Sequence, residues 1–389
     1  MDGRIDDFSL VLGGPLYQLM VRSGLIRPPL SKVGWRITVI TGIVWLPLLV
    51  VSGLSGRLLG GVPVPFERDL EVQTRLLVAL PLMILAESVV HTRMRAIAQQ
   101  FVERRIVTQV APAFEQVVAS AMRLRNSVFV EVALLVVVFL GGRMVWREAS
   151  VFQSDSWFAS LTASGMRHTW AGYWYVFVSL PIFQFILLRW YFRLFLWGRF
   201  LFQVSRLDLN LVPLHPDRCC GLGFLGNVAS AFAPLLMAHS ALIAGFVANR
   251  ILLNGAALPN YRFEIGGMGL ILLAIVLGPL CVFVPKLNSA RFAGLRTYGP
   301  LASDYVIAFA EKWSHGARGS LEPLLGSADI QSLADLDNSY GIVQDVKLVP
   351  FGRQTIIRLL VFIVLPLAPL LLTMFSLDEL LKRLLSIVL

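Results

Sequence analysis

The segment HPDRCCGLGFLG (His215–Gly226) runs directly into NVASAFAPLLMAHSALIAGFVAN (Asn227–Asn249), so a polar, glycine-rich loop is joined to an apolar, alanine-rich run. The apolar run is long enough to cross a hydrocarbon core about 30 Å thick as a helix. Lipid offers no partner for a free backbone N–H or C=O group, and the run lacks the strict alternation of a barrel strand. The pattern therefore predicts a transmembrane helix that begins near Asn227, behind a polar loop that we call the HPDR loop (His215–Gly226).

Runs of the same kind recur along the 389-residue chain, which is 56% hydrophobic and 15% charged and has a mean hydropathy of +0.71. Soluble domains carry about 25% charged residues, so the composition excludes a soluble globule. The sequence predicts an all-α, polytopic transmembrane helical bundle of about seven spans with a small cytosolic helical layer. The predicted spans are Trp35–Leu54, Thr74–Thr92, Ser127–Val145, Gly172–Trp197, Val228–Asn249, Gly267–Pro285 and Thr355–Phe375.

Lysine and arginine residues are concentrated in alternate loops, within residues 4–32, 93–125, 199–218 and 286–353. Basic loops tend to stay in the cytosol, so we expect a multi-pass protein of the cell (inner) membrane with a cytosolic N-terminus. The formal net charge of +10 is then a topology signal. The short basic runs lack the density of a nucleic-acid site, and no nucleic-acid partner is expected.

The pattern of apolar runs and loops divides the chain into five parts. The parts are an N-terminal interfacial segment (1–34), a transmembrane bundle of six spans (35–285) with a cytosolic helical hairpin (95–126) and a polar loop (198–227), a cytosolic helical region (286–354), the last span (355–375) and an amphipathic C-terminal helix (376–389). The N-terminal segment is assigned to the interface because its apolar stretch is short and is interrupted by glycine and proline.

The HPDR loop is the first candidate site. A helix N-terminus exposes free N–H groups, glycines at Gly221 and Gly223 let an anion approach the backbone, and Arg218 and His215 add donors. These residues predict an anion or ligand site, with Asp217 beside it. The alternative is purely structural, with Asp217 capping the helix. The glycines also spell GxGxxG, but no strand precedes them, and this excludes a dinucleotide-binding fold.

A metal is a weaker alternative at the HPDR loop. His215, Asp217, Cys219 and Cys220 are all potential ligands. Adjacent cysteines rarely share one metal ion, since closed zinc sites space paired cysteines by two or more residues. No metal site is predicted from this spacing.

Ionisable side chains inside the predicted spans are costly in lipid and are therefore candidates for function. Glu87 and His91 lie one turn apart in the second span, and Glu131 lies at similar depth in the third. Arg189 and Arg193 lie one turn apart in the fourth span. We expect these groups to meet near the HPDR loop, either as static ion pairs or as a gate whose pairing changes with protonation or ligand.

The fifth and sixth spans hold the remaining features. His239 lies near the middle of the fifth span, either as a neutral histidine hydrogen-bonded to a neighbouring helix or as part of a proton relay. Glycines in the sixth span predict that it packs closely against the fifth. These glycines are Gly266, Gly267, Gly269 and Gly278.

Three segments resemble those of an uncharacterised family of bacterial multi-span membrane proteins. They are LVPLHPDRCCGLGFLG (Leu211–Gly226), LLGSADIQSLADLDNSYGIVQDVKLVPFGRQ (Leu324–Gln354) and LPLAPLLLTMFSLDELL (Leu365–Leu381), which cover the last half of the chain. The resemblance implies a multi-span membrane protein and no particular activity, substrate or cofactor.

The motifs of familiar enzymes are absent from the sequence. No nucleophile elbow, P-loop, HExxH or kinase signature occurs, so no cofactor is predicted. The leading hypothesis is a channel or transporter for a small ion or anionic solute. The alternatives are a non-catalytic scaffold or regulator that binds a cytosolic partner and a membrane enzyme that acts on a lipid-linked substrate. Expected partners are membrane lipids, a small ion or anion, and either a second copy of the chain or a cytosolic protein.

Overall fold

The computed structural model of the protein describes residues 8–25, 30, 32–149, 155–162, 165–315 and 328–374. Within these ranges the chain forms helices and one antiparallel hairpin of two short strands. The elements are α1 (Pro15–Arg22), α2 (Val33–Leu54), α3 (Leu70–Glu103), α4 (Ala111–Arg125), α5 (Val128–Ala149), β1 (Ala159–Thr162), β2 (Gly165–His168), α6 (Trp170–Ser205), α7 (Phe224–Asn254), α8 (Leu258–Trp313), α9 (Ala328–Gln344) and α10 (Arg353–Thr373).

Six of these helices are long and apolar enough to cross a membrane, namely α2, α3, α6, α7, α8 and α10. Helices α4 and α5 form a pair bent by 44°, which brings the number to seven if the pair is one span. The prediction of an all-α bundle of about seven spans is confirmed. The protein is therefore a multi-pass integral membrane protein.

The loops between the helices meet at two ends of the bundle. At the end that carries the HPDR loop, the backbone N–H of Lys347 donates to the carbonyl oxygen of Arg218 at 2.8 Å. At the other end, the backbone N–H of Trp157, just before β1, donates to the carbonyl oxygen of Val64 at 3.0 Å. We call these the HPDR end and the strand end.

Two of the spans contain a π-helical turn next to a proline. The turn Arg75–Ala79 precedes Pro81 in α3, and the turn Tyr175–Ser179 precedes Pro181 in α6. Proline has no N–H for the helix ladder and its ring crowds the preceding turn, so a widened turn accommodates it. The arginine that begins the first turn donates a hydrogen bond to the tyrosine hydroxyl that begins the second. This contact ties α3 to α6 near the strand end.

Helix α8 continues past the end of the predicted sixth span, at Pro285, and runs on to Trp313. Helix α9 packs against this extension, where the hydroxyl of Tyr305 donates to the carbonyl oxygen of Asp329 at 3.1 Å. The extension and α9 form a small helical layer at the HPDR end. The predicted C-terminal helix, residues 376–389, lies outside the described residues.

Residues 8–11 of the N-terminal segment pack inside the protein, and the interfacial position expected for residues 1–34 stays a prediction. Phe8, Ser9, Leu10 and Val11 are all buried, and the Phe8 ring centroid is 4.8 Å from that of Phe200 in α6. Helix α1, which follows, has no buried residues. The side chains of residues 8–11 fill space between the spans, a tertiary contact that a short apolar stretch does not reveal.

The glycines of α8 do not make the close helix contact that the sequence suggests. Gly266, Gly267 and Gly278 have open space where a Cβ atom would project. In contrast, a Cβ on Gly245 of α7 would lie 2.7 Å from Thr74 Cβ and 3.1 Å from the carbonyl oxygen of a neighbouring residue in α3. The close contact of α7 is therefore with α3. The prediction was wrong because small residues show where helices can approach, and not which partner they meet.

This packing gives a first testable expectation. Gly245→Ala should lower the free energy of unfolding by about 1–3 kcal/mol, because the added methyl group overpacks a contact that has no room. Gly267→Ala is the matched control: it adds the same methyl to open space and should leave stability unchanged or slightly raised. Denaturant unfolding in detergent measures both, and equal effects of the two substitutions would contradict the assigned contact.

Candidate functional site

Glu87 of α3 lies at the centre of a group of buried charges. Its Oε2 atom is 2.7 Å from Nη2 of Arg36 in α2, and its Oε1 atom is 2.8 Å from Nη2 of Arg193 in α6. The Arg36 side chain also donates to the carbonyl oxygen of Ile84 at 3.1 Å. The one carboxylate therefore holds three helices together at a single level of the bundle.

A second ion pair lies beside the first. Nη2 of Arg189, one turn before Arg193 in α6, is 3.5 Å from Oε1 of Glu131 in α5. Arg189 also interacts electrostatically with Glu87 and Arg193. We call the five residues Arg36, Glu87, Glu131, Arg189 and Arg193 the buried charge cluster, since all five are buried within the protein.

The N-terminal segment covers this cluster on the side that faces the HPDR end of the bundle. The backbone N–H of Leu16 donates to Glu131 Oε2 at 2.8 Å. Ser9 Oγ lies 2.9 Å from Nδ1 of His91 and accepts the backbone N–H groups of Val11 at 3.2 Å and Leu12 at 3.1 Å. These two donors occupy both lone pairs of the hydroxyl oxygen, so its own O–H donates to the histidine. Arg125 of α4 donates to the carbonyl oxygen of Ser9. Three contacts with other parts of the chain thus fix residues 9–16 over the buried charges.

A cleft of about 280 Å³ adjoins the same region. It is lined by Gly13, Gly14, Tyr17, Arg125 and Asn126 among others. A Cβ atom on Gly14 would lie 2.6 Å from Glu131 Oε1, so the backbone of this turn, which lines the cleft, packs directly against the buried charge cluster. The turn needs glycine for a second reason, since Gly14 has a φ of 85°.

His239 makes its hydrogen bonds outside the buried charge cluster. Its Nδ1 lies 2.8 Å from the carbonyl oxygen of Leu235, and its Nε2 lies 3.0 Å from the hydroxyl of Tyr191. A carbonyl accepts only, so Nδ1 carries the proton and Nε2 accepts from the tyrosine. Both nitrogens are satisfied in the neutral ring, which is the structural alternative considered for this residue.

Asp217 organises the HPDR loop by binding its backbone. The carboxylate accepts the backbone N–H groups of Cys219 at 2.8 Å, Gly221 at 3.1 Å and Gly223 at 2.9 Å. Burial by itself raises the pKa of Asp217, but these three donors and the nearby His215 outweigh it and hold the pKa below its usual value. The N–H groups considered for an external anion are thus occupied by a carboxylate of the chain.

The remaining polar groups of the loop are paired with its surroundings. Arg218 forms an ion pair of 3.0 Å with Asp345 near the end of α9, and Arg104 lies 3.9 Å from Asp217. The helix after the loop begins at Phe224, and Gly223 at its N-cap makes no side-chain cap. Asp217 therefore acts on the loop itself and does not cap the helix.

The two cysteines of the loop have the properties of buried, unreactive thiols. Burial and the charge of Asp217 raise the pKa of Cys219 to about 11 and that of Cys220 to about 12. Thiols with these pKa values stay protonated at neutral pH and are poor nucleophiles and metal ligands. Among the residues that the structure describes, histidine, cysteine, aspartate and glutamate form no group of three that could hold a metal ion.

The structure separates the predicted site residues into three places. Glu87, Glu131, Arg189 and Arg193 come together in the buried charge cluster, and His91 joins its cover through Ser9. The HPDR residues form an ordered loop at one end of the bundle, and His239 pairs with Tyr191. Sequence reasoning missed Arg36 and Ser9. An arginine one position inside an apolar run was the available signal for Arg36, whereas nothing local marks Ser9.

Comparisons with known proteins give no further guide to this site. No protein-family model matches the chain, and comparisons with curated proteins and with solved structures gave no match. The resemblance to bacterial multi-span proteins stays a prediction.

Proposed function

We propose that the protein is a channel or transporter for a small ion or anionic solute, with the buried charge cluster as its gate. The observation that carries the proposal is the convergence of five buried ionisable side chains from α2, α3, α5 and α6 at one level. Apolar side chains of similar size join helices at least as stably as buried ion pairs. Charges retained inside membrane helices typically belong to ion pathways and their gates.

In this proposal the described contacts hold the gate closed. The carboxylates are held by arginines, and residues 9–16 lie over them through hydrogen bonds to His91 and Glu131. These polar bonds are each worth about 1 kcal/mol, which is small enough to break and re-form during a gating cycle. In this proposal the HPDR end faces the cytosol, as the distribution of basic residues indicates, and the protein lies in the inner membrane.

Ion flux into liposomes that contain the purified protein tests the proposal. Ser9→Ala removes the hydroxyl that binds His91, and loss of a tether worth about 1 kcal/mol should raise the open population, and so the flux, about five-fold. Ser303→Ala is the control, because Ser303 is an exposed serine of α8 whose hydroxyl contacts only its own helix. Absence of flux for chloride, nitrate, potassium, sodium or protons, in both proteins and under either a voltage or a pH gradient, would refute the transport proposal.

A scaffold that binds a cytosolic protein is the second candidate, and one observation favours it. The extension of α8 at the HPDR end exposes Leu301, Val306 and Ile307 beside a groove of about 440 Å³ that also includes Tyr340 of α9. Exposed apolar side chains outside a membrane span mark an interaction surface. Retention of one stoichiometric partner by the natural sequence, lost on Ile307→Asp, would support this function.

A further inference from the structure

The buried charge cluster carries an excess of positive charge. It contains three guanidinium groups, from Arg36, Arg189 and Arg193, and two carboxylates, from Glu87 and Glu131. Arginine does not lose its proton in proteins, so the excess cannot be removed by titration. An uncompensated charge inside a protein costs several kcal/mol, and the described part of the chain supplies no third carboxylate to this group through an ion pair.

The same cluster contains hydrogen-bond donors without acceptors. Nε and Nη1 of Arg36 and Nη1 of Arg193 are buried and make no hydrogen bond within the described residues. Arg36 is only 1% exposed and Arg193 only 3%. Both guanidinium groups bind the carboxylate of Glu87 through their Nη2 atoms, so the unpartnered N–H groups belong to two side chains that meet at one carboxylate. Excess charge and unused donors therefore occur together.

We infer that the buried charge cluster binds a small monovalent anion of the halide or nitrate class between Arg36 and Arg193. One negative charge balances the three arginines against the two glutamates, and the anion accepts the N–H groups that lack partners. Water would satisfy the donors but not the charge. The ring of Trp190, 4.8 Å from the Arg193 guanidinium carbon, offsets some of the positive charge by a cation–π contact but carries no net charge.

The surroundings of the site also favour an anion. Arg125 lines the cleft beside the Gly13–Gly14 turn, and positive charge at the mouth of a cleft raises the local concentration of anions. As an identification of the transported ion the inference rests on the proposed function. The binding site itself makes a separate claim and is tested without transport.

Thermal unfolding of the full-length protein in an uncharged detergent tests the inference. At constant ionic strength, chloride, bromide or nitrate replaces gluconate, a much larger anion. We expect Tm to rise with the logarithm of the anion concentration above Kd, by about 2 °C at tenfold excess over Kd, which corresponds to an elevenfold shift of the folding equilibrium. Equilibrium dialysis with radioactive chloride should give one ion per chain. No anion-specific shift and no bound chloride would overturn the inference.

Arg36→Gln is the decisive variant because it removes the excess charge and leaves the pairs Glu87–Arg193 and Glu131–Arg189 intact. The protein should remain folded and lose its dependence on chloride. Arg57→Gln is the matched control, since Arg57 is a partly buried arginine bonded to the carbonyl oxygen of Ser156 at the strand end, and it should keep the dependence. An equal response of both variants would overturn the site.

Two further outcomes separate the explanations. If the natural sequence is insensitive to anions and sensitivity appears only in the double variant Asp6→Asn, Asp7→Asn, a carboxylate of the chain is the counter-charge and the inference of a free anion is wrong. Chloride binding that disappears in Arg36→Gln, in a protein that shows no flux, would support the site and refute only the transport proposal. Flux without chloride binding would support the transport proposal and refute the anion site.

Discussion

Replacing Glu87 with glutamine is expected to destabilise the protein more than any other single change in the buried charge cluster. The carboxylate pairs with Arg36 at 2.7 Å and with Arg193 at 2.8 Å, and it is only 8% exposed. Glutamine removes the negative charge and leaves two guanidinium groups buried without it. Loss of one partner of a buried ion pair costs about 3–5 kcal/mol. Denaturant unfolding in detergent measures this loss.

The control for this substitution lies on the same helix. Glu103→Gln makes the same chemical change at the exposed C-terminal residue of α3, where surface substitutions change stability by about 0.5 kcal/mol or less. Glu131→Gln should fall between the two, because the distance from Glu131 to Arg189 is 3.5 Å and its other acceptor contact, with Leu16, survives in an amide. A loss below about 1 kcal/mol for Glu87→Gln would show that water already compensates the arginines.

Asp217→Ala is expected to have the second largest effect, through the order of the HPDR loop. The carboxylate accepts three backbone N–H groups, and alanine leaves all three donors without their acceptor. Hydrogen bonds to a charged group contribute about 1.5–3 kcal/mol each before solvent replaces part of them, so we expect a net loss of about 2–4 kcal/mol. Limited proteolysis should cut the loop of the variant faster, since Arg218 then lies in an unfixed turn.

The pKa of Asp217 gives this prediction a pH dependence. The pKa of Asp217 is lower in the folded protein than in the unfolded chain, where it is about 3.9. The carboxylate therefore stabilises the fold at pH values above the unfolded pKa, and this contribution is lost as the pH falls through the folded pKa. The difference in stability between the natural sequence and Asp217→Ala should therefore be full at pH 7 and shrink below pH 4. Asp345→Ala is the control, because its ion pair with Arg218 is half exposed and should matter little at any pH. A difference that does not change with pH would rule out the carboxylate as the cause.

Apolar periodicity predicted the helices well because a bilayer imposes one requirement on every span. A run of about 20 apolar residues has to satisfy its backbone internally, so it becomes a helix whatever its neighbours are. The meeting of Glu131 with Arg189 also followed from sequence, since spacing by one turn and similar depth place the charges on facing helices. The bent pair of α4 and α5 and the π-helical turns were not predicted, because they depend on how each helix accommodates its neighbours and its proline.

The details of the site depended on contacts that sequence does not encode locally. Arg36 lies beside Trp35 at the edge of an apolar run, a position from which a long side chain can reach the interface, and only the facing carbonyl of Ile84 and the carboxylate of Glu87 explain its burial. Ser9 lies far from His91 in sequence. Aspartate before a helix usually acts as the helix cap, and this is the role that sequence suggests for Asp217. In the structure the turn of the HPDR loop instead places its carboxylate against three backbone N–H groups of the loop.

The position of residues 8–16 has a consequence for how the protein is made. Phe8 packs against Phe200, and Leu16 bonds to Glu131, so neither contact can form until α5 and α6 have left the ribosome. Residues 8–16 therefore remain unpacked while helices α2 to α6 are synthesised. The segment can dock only after the first half of the bundle has been synthesised. In a chain stalled before Phe200, residues 8–16 would therefore stay accessible to proteases and chaperones.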